Sequence, residues 1–214
     1  MSPEALRAGA RGLGLELDDA AVGRLLRFGE LLSKWNATHN LTAIRDADEV
    51  LTHHLLDSLS LAAPLARWMP EGGRRVLDVG AGGGLPGVPL AILRPDLEFT
   101  LVDAVQKKAA FLRQVRAELE LGHLTAVHGR VESLHLEPFP VVTSRAFAAL
   151  RKFFELTRGL LAADGVWLAM KGARPDEELA ALPAWAEVLE VAPLAVPGLG
   201  QRRHLVVARL KAEG

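Results

Sequence analysis

The sequence predicts an α/β fold: a doubly wound, mostly parallel seven-stranded sheet with one antiparallel edge strand, behind an N-terminal helical extension. Three observations predict it. From Gly72 onward, short apolar runs alternate with helical stretches, the rhythm of strand and helix in turn. A glycine cluster follows the first apolar run, which marks a sharp strand-to-helix turn. The last two strands are joined by Pro193–Arg203 without a helix, which makes them an antiparallel hairpin.

The elements follow in chain order. Residues 2–70 read as helical. Asp18 or Asp19 caps a helix that runs to about Trp35, with Val22, Leu25, Leu26, Phe28, Leu32 and Trp35 near one face. Lys34–Thr42 reads as a polar turn, and a second helix starts near Asp46. Strands are expected near Arg75–Val79, Glu98–Val102, Leu124–His128, Val141–Ser144, Gly165–Met170, Ala186–Ala192 and His204–Leu210. Helices are expected near Pro86–Leu93, Gln106–Leu119, Leu150–Leu160 and Pro175–Ala181. The organisation is a helical extension over 1–70 and a single compact core over 71–214.

The chain has 214 residues, half of them hydrophobic, enough for one sizeable α/β core. Its formal net charge is −1, so any binding of nucleic acid must come from a local patch. Cysteine is absent, which excludes disulfides, cysteine-ligated zinc and thiolate attack on a pyrimidine. The N-terminus lacks the apolar stretch of a signal peptide. No apolar run approaches the roughly 20 residues a membrane helix needs. A cytoplasmic protein without a membrane partner is expected, and no obligate protein partner is evident.

Chemistry concentrates in Val76–Gly87, where five glycines (Gly80, Gly82, Gly83, Gly84 and Gly87) fall within eight positions. Glycine reaches positive φ without steric cost and lets a ligand approach bare backbone. The helix beyond, opening near Pro86, should offer free N–H groups to a ligand. Two frames compete. Gly82–Gly87 fits the G-x-G-x-x-G dinucleotide pattern, with Asp103 at a suitable distance for a ribose. Asp78-Val79-Gly80-Ala81-Gly82-Gly83-Gly84 fits better, and it resembles the first motif of class I S-adenosylmethionine (SAM) methyltransferases.

Other candidate residues end later strands. Asp103 can accept two hydrogen bonds from a ribose diol, or cap the helix after it. Val131 and Glu132, after the third strand, would flank an adenine. Arg145, after the fourth, brings a planar cation to the floor of the site, or simply pairs with a carboxylate. Amino-methylating enzymes carry Asp/Asn-Pro-Pro-aromatic at this place; here it reads Ser144-Arg145-Ala146-Phe147. Lys107, Lys108, Lys171, Arg174, Arg202 and Arg203 could form a phosphate-binding rim. His53 or His54 can share a helix face with Asp57, as a surface pair, a cap or a substrate-facing group. A metal is not expected, because no second ligand cluster stands out.

Lys34-Trp35-Asn36, Asn40-Leu41-Thr42, His54-Leu55-Leu56-Asp57-Ser58, Asp78-Val79-Gly80, Gly84-Leu85-Pro86-Gly87, Ser144-Arg145-Ala146-Phe147, Lys171-Gly172 and Arg203-His204-Leu205-Val206-Val207 together resemble one family. It is the bacterial small-subunit rRNA guanine-N7 methyltransferase family (RsmG, also called GidB). The departures are His53, where relatives often have arginine, and Gly83, where proline is common. The resemblance implies SAM as cofactor, contacted at Gly80, Gly82, Leu85, Val131, Glu132 and Arg145, with Asp103 and Ala104 beside the ribose and adenine. It implies 16S rRNA or the small ribosomal subunit as partner, and guanine 527 in standard rRNA numbering as target. His53, His54, Lys107, Lys171, Arg174, Arg202 and Arg203 are then candidates for RNA contact. Guanine N7 carries a lone pair and no proton. Methylating it needs positioning but no catalytic base, thiolate or metal, so no residue is assigned a catalytic role. Because the product base is cationic, Arg145 is expected to face the cofactor more than the guanine. The alternatives are an NAD-type oxidoreductase and a non-catalytic RNA-binding or ribosome-assembly module.

Overall fold

Side chains alternate across the central strands, and both faces are buried. In β1 (Arg75–Val79), Val76 joins one apolar cluster while Leu77 and Val79 join the other. In β5 (Leu161–Lys171), Val166, Leu168 and Met170 lie on the first side and Trp167 and Ala169 on the second. Strands buried on both faces need helices on both. The computed structural model describes residues 1–211, Ala47 by its backbone alone; the last three residues of the expected core lie outside the described residues.

The remaining strands are β2 (Glu98–Asp103), β3 (Leu124–His128), β4 (Phe139–Arg145), β6 (Ala186–Pro193) and β7 (His204–Leu210). They form one sheet in the order β3-β2-β1-β4-β5-β7-β6. β1 pairs in parallel with β2 and β4, with Asp78 opposite Leu101 and Thr143. β7 is the reversed strand of the expected hairpin; it lies between β5 and β6, antiparallel to both. The order reverses at β1, so β2 and β4 flank it and a crevice opens at their carboxyl ends.

The helices are α1 (Pro3–Gly12), α2 (Asp19–His39), α3 (Ala47–Val50), α4 (Asp57–Leu59), α5 (Ala62–Trp68), α6 (Gly87–Leu93), α7 (Gln106–Glu118), α8 (Leu150–Thr157) and α9 (Asp176–Ala180). One apolar cluster joins Leu6, Leu25, Phe28 and Leu55 of the N-terminal region to Phe99, Leu101, Phe111 and Val141. The helical extension therefore shares its core with one face of the sheet. α8 covers the other face, where Phe154 stacks on Trp167 with ring centroids 4.5 Å apart.

Two local features of the N-terminal region depart from expectation. α2 continues to His39 and does not stop at Trp35. No glycine or proline interrupts Lys34–His39, and Trp35 packs on Phe111 and His39. Asn40 ends the helix in the left-handed region at φ 50°. The polar turn is thus shorter than predicted. The second feature is a π-helical turn over Leu51–Leu56, inserted between α3 and α4. Such turns leave no pattern in hydrophobic spacing and concentrate at functional sites.

Asn36 explains the loop after α2. It is 2 % exposed. Its amide donates to the Ile44 carbonyl at 2.8 Å, and its oxygen accepts the Thr42 N–H at 2.9 Å. An Asn36→Ala variant leaves both backbone groups without a partner. It should cost about 2 kcal/mol, read as a lower urea midpoint with an unchanged m-value.

Candidate active site

The glycine turn after β1 is built from positive backbone angles: φ is 68° at Gly80, 58° at Gly82 and 82° at Gly84. Gly80 and Ala81 both donate their N–H to the Val102 carbonyl, which ties the turn to the end of β2. A Cβ on Gly80 would lie 2.3 Å from Cδ2 of Phe147. Bare backbone is therefore required there by conformation and by space.

Two carboxylates hold the turn. Asp103 accepts the Gly82 N–H at 2.9 Å on one oxygen and the Val105 N–H at 2.8 Å on the other. It braces the loop that leads into α7, which has no side-chain cap of its own, and keeps a lone pair on each oxygen for a ligand. Asp78 accepts the Gly87 N–H at 2.9 Å, while its second oxygen has no partner. Burial pushes its carboxyl up to about 7, against the Gly87 hydrogen bond and the Arg145 charge, which lower it.

A carboxyl with a raised folded pKa keeps its proton in the folded state after the unfolded chain has lost it. Its contribution to stability is full below about pH 4 and is lost as pH rises to about 7. Asp78→Asn should escape that loss. Its melting temperature relative to the parent protein should climb by a few degrees between about pH 5 and about pH 8, measured by thermal unfolding.

The helix N-terminus expected to face a ligand is not free. Gly87, first residue of α6, gives its N–H to Asp78, and Gly84 gives its N–H to Ala81. A dinucleotide pyrophosphate would need those groups. The Gly82–Gly87 frame is therefore a folding device, and the NAD-type alternative loses its one support.

A cavity of about 520 Å³ opens above the turn at the carboxyl ends of β1, β2, β3 and β4. Gly80, Asp103, Ala104, Val131 and Glu132 line it together, as the sequence grouped them. Lys108 lines it too. Gly82 stands behind it as the donor to Asp103. Leu85, expected at the cofactor, is instead 5 % exposed and packed into the core under the turn. Phe147, Lys152 and Leu156 also line the cavity. Lys152 and Leu156 stand one turn apart on α8, a spacing that could have singled them out.

A second cavity, of about 390 Å³, adjoins the first at Ala146, which lines both. Ala146 has φ 53°, in the left-handed region that non-glycine residues seldom occupy. Arg145 lines this second cavity, away from the place expected for it at the cofactor. The reason is Asp57, 1 % exposed, whose Oδ2 accepts from Arg145 Nη1 at 2.8 Å. Asp57 Oδ1 accepts from Arg203 Nε at 3.0 Å. Arg145 Nη1 also donates to the His53 carbonyl, which lies in the π-helical turn, at 2.9 Å. His53, His54 and Asp57 thus form no surface pair.

His54 is 5 % exposed, within hydrogen-bond distance of the Thr42 hydroxyl at 2.8 Å. Burial and the Arg145 charge lower its pKa to about 4, so it stays neutral near pH 7. The other expected basic groups divide. Lys171 lines the second cavity but pairs with Glu178 at 2.8 Å. Arg174 is exposed and pairs with Asp176. Lys107 and Arg202 are exposed at the surface. Among the described residues, no cluster of three or more histidines and carboxylates is arranged to hold a metal. No helix among them is long and apolar enough to cross a membrane.

Comparison with known proteins adds to this geometry. A family model described as rRNA small subunit methyltransferase G (GidB) matches residues 22–206. The ribosomal RNA small subunit methyltransferase G of Leptothrix cholodnii is 52 % identical over 206 residues, 96 % of this chain and 94 % of that one. Its counterpart from Ralstonia nicotianae is 53 % identical, over 94 % and 92 % of the two chains. Among solved structures, the SAH-bound methyltransferase PaMTH1 of Podospora anserina superimposes with a TM-score of 0.60 at 15 % identity, over 92 % of this chain and 89 % of that one. The CcbJ methyltransferase of Streptomyces caelestis gives 0.58 at 17 % identity, over 74 % and 91 %. These two likenesses show the fold.

Proposed function

The chain belongs to the rRNA small subunit methyltransferase G family, and from that premise we propose that it methylates N7 of guanine 527 in a loop of 16S rRNA. It is a SAM-dependent methyltransferase of small-subunit rRNA. The observation that carries the finer reading is the pair of cavities meeting at Ala146. One suits a nucleoside cofactor; the other can receive a base from the opposite side.

The residues present fit SAM. Gly80 offers bare backbone where a side chain would block the cavity, and Asp103 presents its carboxylate edge beside Ala104. Gly80, Asp103, Ala104, Val131 and Glu132 would hold the nucleoside, with Gly82 fixing the Asp103 carboxylate. When bound, SAM supplies a methyl group already activated by a positively charged sulfur. The protein's own part is to hold guanine N7 in line at near-contact distance and to exclude water. No proton leaves N7, so no side chain is needed as a base.

The target must be exposed or flipped, because the deep groove of an A-form helix excludes side chains. Lys107, Arg174 and Arg202 are exposed and would meet phosphates around such a loop, whereas Arg203 is held by Asp57. The test is mass mapping of the methylated nucleotide after reaction with undermethylated 16S rRNA or 30S particles. Methylation at N7 of that guanine supports the proposal. Methyl transfer to another atom or nucleotide refutes it, and RNA binding without transfer favours an assembly module.

A further inference from the structure

The second cavity holds more donor capacity than its one carboxylate uses. Each oxygen of Asp57 carries a guanidinium, Arg145 on one and Arg203 on the other. Arg145 Nη1 spends itself on Asp57 and the His53 carbonyl. No protein acceptor among the described residues takes its Nε or Nη2. Lys171 is drawn off by Glu178 and the Ala148 carbonyl. His54 is neutral near pH 7. Two arginines and one aspartate leave a single net positive charge, and beside the seam Arg145 keeps N–H groups that no described protein acceptor takes.

We propose that Arg145 is the residue that selects guanine, donating its spare N–H groups to O6 of the target base, with Asp57 as the residue that positions its guanidinium. The proposal rests on the guanine-N7 reading and deepens it. N7 and O6 stand side by side on one edge of guanine, both acceptors; adenine places an amino donor where guanine has O6. A base that presents N7 to the first cavity brings O6 to the seam. Ala146 lines both cavities, and Arg145 directly precedes it on the second-cavity side. A cation there accepts guanine and leaves the adenine amino group facing a donor. Asp57 also limits the positive field: an unpaired guanidinium would oppose the cationic product, whereas one sharing a buried carboxylate does so less.

The test uses 16S rRNA ligated from segments, with guanine, inosine or 2-aminopurine at the target. Inosine keeps O6 and loses the 2-amino group; 2-aminopurine keeps N7 and loses O6. Binding is measured with S-adenosylhomocysteine present, so that intrinsic N7 reactivity does not enter, and methyl transfer with SAM. The protein should bind guanine and inosine RNA within a few-fold of each other. It should bind 2-aminopurine RNA roughly tenfold to a hundredfold more weakly. Arg145→Ala should weaken guanine RNA by that factor and leave 2-aminopurine RNA unchanged, so that the preference vanishes. Arg145→Lys keeps the pairing charge without the fork, guards against a folding defect, and should lose most of the preference. Equal weakening of both RNAs in either variant overturns the proposal and leaves Arg145 a structural strut. Guanine RNA that the parent protein binds but never methylates sinks the functional reading itself.

Discussion

Gly80→Asp should abolish SAM binding and methyl transfer together, with affinity reduced at least about a hundredfold. Three costs add at this position. A non-glycine residue at φ 68° carries backbone strain of about 1–2 kcal/mol. Its Cβ would meet the Phe147 ring at 2.3 Å, so either the ring or the turn must move. Its carboxylate would then occupy the cavity beside Asp103. About 2.7 kcal/mol is a hundredfold in binding, and strain plus clash alone approach it. The measurement is the SAM-induced rise in melting temperature together with calorimetric affinity. Gly80→Ala keeps strain and clash without charge and should be intermediate. Adding Phe147→Ala to it should recover part of the loss. Affinity within threefold of the parent protein in Gly80→Asp would mean that the cofactor lies elsewhere.

The parts of this molecule legible in its sequence are those set by local pattern. β1, β3 and β7 span the residues that short apolar runs outline, and the glycine turn lies where glycine spacing places it. Gly80, Asp103, Ala104, Val131 and Glu132 come together because the carboxyl ends of parallel strands must converge. What was not legible depends on contacts between distant segments. Arg145 closes β4, one residue beyond the expected strand end, and its direction is set by Asp57, eighty-eight positions earlier. Leu85 lies in the motif yet is claimed by the core. The π-helical turn that offers the His53 carbonyl to Arg145 has no periodic signature. The Asp57–Arg203 contact joins residues 146 positions apart and is invisible to any local window.

Removing that carboxylate has the second large consequence. Asp57→Ala should destabilise the protein by about 3 kcal/mol, because it leaves two guanidiniums facing each other around a vacated site. The figure lies at the low end for a broken buried pair, since the side chains of Arg145 and Arg203 stay 19 % and 18 % exposed and can draw in water. The informative comparison is a triple variant, Asp57→Leu with Arg145→Met and Arg203→Met. A buried ion cluster replaced as a whole by apolar residues of similar volume is often no less stable. The triple variant should therefore unfold within about 1 kcal/mol of the parent protein in urea. It should also retain the SAM-induced thermal shift, because none of the three residues lines the first cavity. Methyl transfer to rRNA should nevertheless fall at least about a hundredfold. A stable, SAM-binding and inactive protein would place the purpose of the cluster in handling the base. A triple variant that still methylates rRNA at the parent rate would reduce the cluster to a joint between the N-terminal helices and the sheet.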